Sequence, residues 1–172
     1  MSPDVATPTT DYQTLYDAFK LDVPEYFNFG FDVMDRWAED RTKLALVSIR
    51  RNAEKAEHHT FFDRSRLSNR FANVLRNLGL KKRDRVLLML ESISEWYVAM
   101  IGMIKLGVIP MPGTVLLTSK DIAYRVNRAE ACMVITDVAH VGRVDRVAQD
   151  LSLIHISEPT RPTRASRMPS SA

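Results

Sequence analysis

Four groups of residues are of the types that do chemistry, and each is weighed first for the reaction it would support. Asp32, Asp35, Glu39 and Asp40 lie within FDVMDRWAED, where helical spacing gathers them on one polar side. Paired carboxylates can divide general acid and base duty when their surroundings split their affinities. Arg36, Arg41 and Lys43 stand beside them, so the cluster reads as a screened, solvated face. His58 and His59 are adjacent and point apart, with no cysteine or carboxylate at ligand spacing, so they read as solvated rather than metal-bound. Cys132, the only cysteine, sits in the apolar run CMVIT. It excludes an internal disulfide and reads as a buried, inert thiol.

The fourth group is the glycines, six in number. No GxGxxG can be assembled from them. Gly102 and Gly107 have the outer spacing of a phosphate-binding Walker loop, but Val108 and Ile109 stand where Lys and Ser or Thr must follow. Both lie in an apolar helical run, so helix packing explains them. GxSxG, HExxH and CxxC are absent. The sequence therefore assigns no catalytic, cofactor-binding or metal-ligating residue.

The elements that would have to position a site are clearer. Residues 1–27 form an extended lead-in, Pro- and Thr-rich at first, that packs on something larger. Phe31, Met34, Trp37 and Ala38 mark an amphipathic helix, and KLALVSI a strand. RRNAEKAEHH is a surface connection and HTFFD a short strand. A helix then follows, capped by Ser65 or Asp63, with Leu67, Phe71, Val74, Leu75 and Leu78 as its apolar stripe and Gly79 as its stop. RVLLML is a continuous apolar run, the signature of a strand covered on both faces. SEWYVAMIGMIKLG is a deep helix, and Met89, Met100, Met103 and Met111 fill core. VIPMP is a strand, SKDIAYRVNRAE a helix capped by Thr118 or Ser119, CMVITD the last strand and VAHVGRVDRVAQ a final helix. This alternation predicts an α/β fold with a partial doubly wound, mostly parallel sheet over residues 28–150.

Bulk properties narrow the partners. The 172 residues are 45% hydrophobic and 26% charged, enough for a single globular core. Of the formal charge of +3, residues 151–172 hold two units, with Arg161, Arg164 and Arg167 against Glu158. A body so close to neutral argues against a nucleic-acid surface. The longest apolar stretch, residues 96–104, is about half of what spans a bilayer. MSPDVATPTTDYQ carries neither a basic nor an apolar leader segment, and the expected location is cytoplasmic.

FNFGFDVMDRWAED, LSNRFANVLRNLGLKKRDRV and ESISEWYVAMIGMIKLGVIPMPGTVLLTSKDIAYRVNRAEACMVITD resemble, in order and spacing, the start of the AMP-forming acyl-CoA synthetases. The resemblance covers about residues 24–150 and is closest to the branch acting on medium-chain acids. It implies the N-terminal part of the large domain of an adenylate-forming enzyme. It also implies a parent that joins a carboxylic acid to CoA through an acyl-adenylate, using ATP, Mg²⁺ and CoA. The family's phosphate loop, adenine- and ribose-binding segments and mobile lysine come later in such proteins, so this chain is expected to be an inactive fragment that binds no cofactor by itself. Two residues depart from the family pattern: Arg64 at a usually apolar position, and Arg83 where KKGDRV has glycine. Leu116 stands where the medium-chain branch often has a polar residue near the CoA path, and no CoA contact is assigned to it.

From Leu151 the pattern breaks. LSLIHISEPTR reads as the translation of a transposase-end sequencing adapter and ASRMPSSA as that of a flow-cell adapter. Residues 151–172 are therefore expected to be a non-native, disordered tail. Two other readings remain open: a complete small flavodoxin-like binding domain, and a non-catalytic interaction module that docks a partner through an exposed face at residues 96–104.

Overall fold

The computed structural model describes residues 11–22, 24–49, 56–151 and 155–157. Its centre is β3 (Arg85–Met89), in which Val86, Leu87, Leu88 and Met89 are all essentially excluded from solvent. Strand side chains alternate faces, so an unbroken apolar run requires cover on both sides. Val86 and Leu88 pack with Leu75 and Leu80 and with Ala99 and Met103 on α3 (Ser94–Leu106). Leu87 and Met89 pack instead with Ile122 and Val126 on α4 (Ser119–Ala129) and with Val144. β5 (Met133–Thr136) divides in the same way, Met133 and Ile135 to the first layer and Val134 to the second.

Four parallel strands stand in the order β4-β3-β5-β6, where β4 is Ile109–Pro112 and β6 is His155–Ser157. From β3 the chain moves one way to β4 through α3, then back across β3 to β5 through α4. Because parallel crossovers are right-handed, opposite directions of travel put the two helices on opposite faces. The expected doubly wound α/β sheet is present, and it extends one strand past CMVITD. β6 lies within the segment expected to be structureless.

β4 contains two prolines, which a sheet tolerates only where no N–H is needed. Ile109 N–H donates to Asp84 and Gly113 N–H to Leu88, so Pro110 and Pro112 take the alternate positions that face away from β3. Their missing donors therefore fall on the open edge.

The first half of the chain differs from expectation in several places. Within the lead-in, Tyr12–Ala18 is helical (α1), capped by Asp11. The next helix is a π-helix, Phe29–Asp35, whose wide turn buries Gly30, Met34 and Ala38 at steps of four while Phe31 and Trp37 stay half-exposed. β1 (Leu44–Ser48) pairs antiparallel with β2 (Glu57–Thr60), so His58 and His59 belong to a strand and not to a surface connection. Phe61 and Phe62 open α2 (Phe61–Asn77), and the cap is Thr60, not Ser65 or Asp63. Thr60 and Asp63 form a reciprocal capping box.

The apolar stripe of α2 is also displaced. Leu75 is buried, but Leu67 and Val74 are 40% and 51% exposed, while Arg64, Ser65 and Ser68 are enclosed. α3 packs on this more polar face because the residues there are small. A Cβ on Gly102 would lie 2.9 Å from both Phe71 Cδ1 and the Ser68 carbonyl. The buried hydroxyls are satisfied, Ser65 Oγ donating to Asp35 at 2.6 Å and Ser68 Oγ to the Ser65 carbonyl at 2.9 Å. Residues 96–104 bury Ala99, Ile101, Gly102 and Met103, while Tyr97 stays 41% exposed.

Candidate functional site

In open parallel sheets, ligands bind beyond the carboxyl ends of the strands, where successive connections leave in opposite directions. Here that place lies past Met89, Pro112 and Thr136, since the connections from β3 and β4 depart in opposite senses. The loop after β4, residues 113–118, is tied to the segment that follows β5. Arg143 Nη1 donates to the Val115 carbonyl at 2.5 Å and the Leu117 carbonyl at 3.2 Å, and Ser119 Oγ donates to the Arg143 carbonyl at 2.8 Å. Gly113 permits the loop's close approach, since a Cβ there would lie 3.0 Å from Leu117 Cδ1 and 3.3 Å from Leu87 Cδ1. Leu116 projects from the loop, 79% exposed.

Beside this loop, Thr136 Oγ1 is buried without a hydrogen-bond partner at the end of β5. Asp137 Oδ1 holds His140 at both its backbone N–H (2.9 Å) and Nδ1 (2.5 Å). An oriented imidazole can move a proton, but no hydroxyl or thiol is in hydrogen bond with it among the described contacts. The crevice wall is thus positioned by polar contacts and offers an apolar tip and one orphan hydroxyl. Sequence reasoning did not single out Thr136, His140 or Arg143, because their meeting depends on which strands are neighbours.

The polar residues chosen from sequence are placed as follows. Asp35 is not a solvated carboxylate: Lys105 Nζ, on a side chain only 2% exposed, lies 2.5 Å from its Oδ1. Lys105 also donates to Asn69 at 2.8 Å, and its stem passes so close that a Cβ on Gly30 would collide with its Cγ. Asn28 completes the tie, its amide donating to the Ile104 carbonyl at 2.8 Å. Lys105 is therefore engaged in fastening the π-helix to α2 and α3. Asp32 accepts from the Asn28 backbone, and Asp40 caps a turn through Thr42, whose hydroxyl and amide bonds hold its carboxyl below the ordinary range.

His58 is exposed, but His59 is not solvated; its Nδ1 lies 2.8 Å from Arg64 Nη2. Arg64 is enclosed, donating also to the Ser94 carbonyl at 2.9 Å, and burial lowers its pKa. Cys132 is half-buried with Sγ 3.5 Å from the Arg85 carbonyl, and burial, then the Asp84 charge, push its thiol up and away from thiolate reactivity.

Gly102 and Gly107 cradle no phosphate. The first is packed against α2 and the second, at φ 77°, ends α3 in the left-handed region. Among the described residues, no three His, Cys, Asp or Glu side chains converge to hold a metal ion. The groups among the described residues form no cradle for ATP phosphates with Mg²⁺.

Comparison with known proteins agrees with this architecture. The AMP-binding enzyme family matches residues 34–171, a range that includes most of the segment read as an adapter tail. Human mitochondrial acyl-coenzyme A synthetase ACSM3 is 36% identical over 169 residues, covering 91% of this chain and 29% of the relative. Rat mitochondrial acyl-coenzyme A synthetase ACSM5 is 32% identical, covering 83% and 26%. Among solved structures, a benzoate CoA ligase from Burkholderia xenovorans superposes with TM-score 0.67 at 26% identity, over 78% of this chain and 26% of that one. An acyl-CoA synthetase from Brucella canis gives 0.78 at 20% identity, over 90% and 29%, a likeness of fold alone. The chain spans less than a third of the length of the relatives it matches. It belongs to the AMP-binding enzyme family and forms the N-terminal part of that family's large domain.

Proposed function

We infer that this chain is the opening portion of an acyl-CoA synthetase whose whole-length form activates a carboxylic acid with ATP and transfers the acyl group to CoA, releasing AMP and pyrophosphate. The observation carrying this reading is the family match over residues 34–171 on a sheet whose carboxyl-end crevice is walled by an ordered loop. The 172-residue polypeptide by itself is inactive on this reading. Adenylation depends on charge stabilisation around the transferring phosphate, and the described side chains near the crevice supply one imidazole and no phosphate-holding loop.

The exposed apolar side chains Leu67, Val74, Tyr97 and Leu116 support the same reading as surfaces that the rest of the parent covers. Residues 151–172 are proposed to be adapter-derived. Genomic DNA read across codon 150 tests this, and native codons for LSLIHISEPTR would overturn it. Cytoplasmic residence belongs to the proposal, whereas the relatives are named mitochondrial, and fractionation of the whole-length protein decides between them. No helix among the described residues is long and apolar enough to cross a membrane.

The central test is ATP–pyrophosphate exchange. The purified chain is expected to give none with any carboxylic acid, while the whole-length protein exchanges with its own substrate. Acyl-adenylate recovered from the chain, freed of contaminating ligases, would reverse the assignment.

A further inference from the structure

Where the π-helix meets α2 and α3 there is a cleft of about 270 Å³ that the proposed reaction does not use. Its apolar lining is Phe31, Ala72 and Leu106, and its polar lining along α2 is Asn69, Asn73 and Arg76. Leu106 ends α3 just before β4 begins, so the cleft lies toward the opposite end of the sheet from the crevice past Met89 and Thr136. π-helical turns are uncommon and recur at functional sites. This one sets Phe31 half-exposed beside the cleft, with Lys105 Nζ 5.7 Å from the ring centre.

Hydrogen-bond direction at the cleft is fixed by chemistry, because ammonium and guanidinium groups carry donors only. Lys105 donates to Asn69 Oδ1 at 2.8 Å, and Arg76 Nη2 donates to Asn73 Oδ1 at 2.6 Å. Both amide oxygens are thereby spent and both NH2 groups are left over. Neither NH2 group, nor the remaining N–H groups of Arg76, has a hydrogen-bond partner among the described residues. Lys105 is matched by Asp35 at 2.5 Å, whereas the cleft lining contains no carboxylate for Arg76. The Ile104 carbonyl near the end of α3, which would repel an anion, is already taken by Asn28 and Gly107.

We infer that this cleft is a binding site for a small organic carboxylate with a flat apolar body, separate from the crevice and independent of the proposed reaction. Side chains that offer donors and one uncompensated positive charge call for an acceptor-rich anion. A carboxylate matches the guanidinium fork with two parallel hydrogen bonds, which a compact cation could not provide. The two amide NH2 groups supply further donors along the same helix. Phe31 and Leu106 favour an acid with apolar surface to bury over inorganic phosphate, which has none. The volume lies just under the range of drug-sized ligand sites, so it suits an acid built on a single ring. Lys105 prepares the site without touching the ligand: by holding the oxygen of Asn69 it leaves that amide only donors to offer.

The test titrates the ¹⁵N-labelled 172-residue chain with benzoate at constant ionic strength, following the side-chain amides of Asn69 and Asn73 and the Nε–H of Arg76. Saturable shifts are expected at all three, with a dissociation constant on the order of 1 mM, while the backbone amides of Leu116, Thr136 and His140 in the crevice stay unmoved. Benzamide keeps the ring without the charge and inorganic phosphate the charge without the ring, and each should bind roughly tenfold more weakly or worse. Arg76→Gln, at an exposed position, should weaken benzoate by a similar factor, and Arg76→Lys should recover only part of the loss. Shifts that do not saturate by about 10 mM, an equal response to benzamide or phosphate, shifts centred on the crevice, or binding unchanged in Arg76→Gln would each overturn the proposal. ATP–pyrophosphate exchange by the whole-length protein is a separate readout, so failure here leaves the proposed reaction standing.

Discussion

Lys105 shows how a single side chain can be charged, buried and spoken for. Breaking a buried ion pair by removing one partner usually costs about 3–5 kcal/mol, less where the abandoned group reaches water. Asp35 retains 31% side-chain exposure, so Lys105→Met is expected to lower stability by about 2–3 kcal/mol in urea unfolding. Arg83 is the opposite case, a residue that gains from removal. It sits at φ 76°, where a Cβ is strained, and its N–H donates to the Gly107 carbonyl in a turn glycine would adopt freely. Arg83→Gly should raise stability by roughly 0.5–1 kcal/mol after the larger chain entropy of glycine is deducted, read from the same transition. The family pattern flagged Arg83 and Arg64 as departures, but only the fold shows why one is strained and the other enclosed.

At the scale of elements, two helices begin with the same device. Thr60 and Asp63 start α2 and Thr118 and Asp121 start α4, each threonine hydroxyl donating to the aspartate at 2.7 Å. These hydroxyl bonds, then the backbone N–H bonds, hold both carboxyls below the ordinary value near 3.8. A carboxyl depressed in the folded state stabilises above its unfolded pKa and loses that contribution as pH falls through the folded one. Stability should therefore drop below about pH 4, and Thr118→Val should flatten part of that drop in denaturation curves taken at successive acid pH values. Helices and strands with a single dominant signal were legible in the sequence: RVLLML and CMVIT are strands as expected, and of the two caps expected for α4, Thr118 and Ser119, it is Thr118 that serves. The stripe of α2 was not, because Ser68 and Gly102 set the helix contact by their smallness, which hydrophobic spacing does not register. Asp35 read as solvated because its partner lies 70 residues away.

For the whole molecule, the doubly wound α/β class followed from strand–helix alternation, whereas the order β4-β3-β5 and the crevice side chains did not. Thr136, His140 and Arg143 meet residues 113–118 only once β4 and β5 flank β3 on either side. Strand order also sets what each rim of the sheet permits. With Pro110 and Pro112 aimed outward, one rim of the four-stranded sheet offers acceptors and no donors at those positions. Stacking of chains rim to rim then resembles a polymerisation in which every monomer has one dead end. Replacing both prolines with valine should restore donors along that rim and raise the association of concentrated samples, as followed by light scattering.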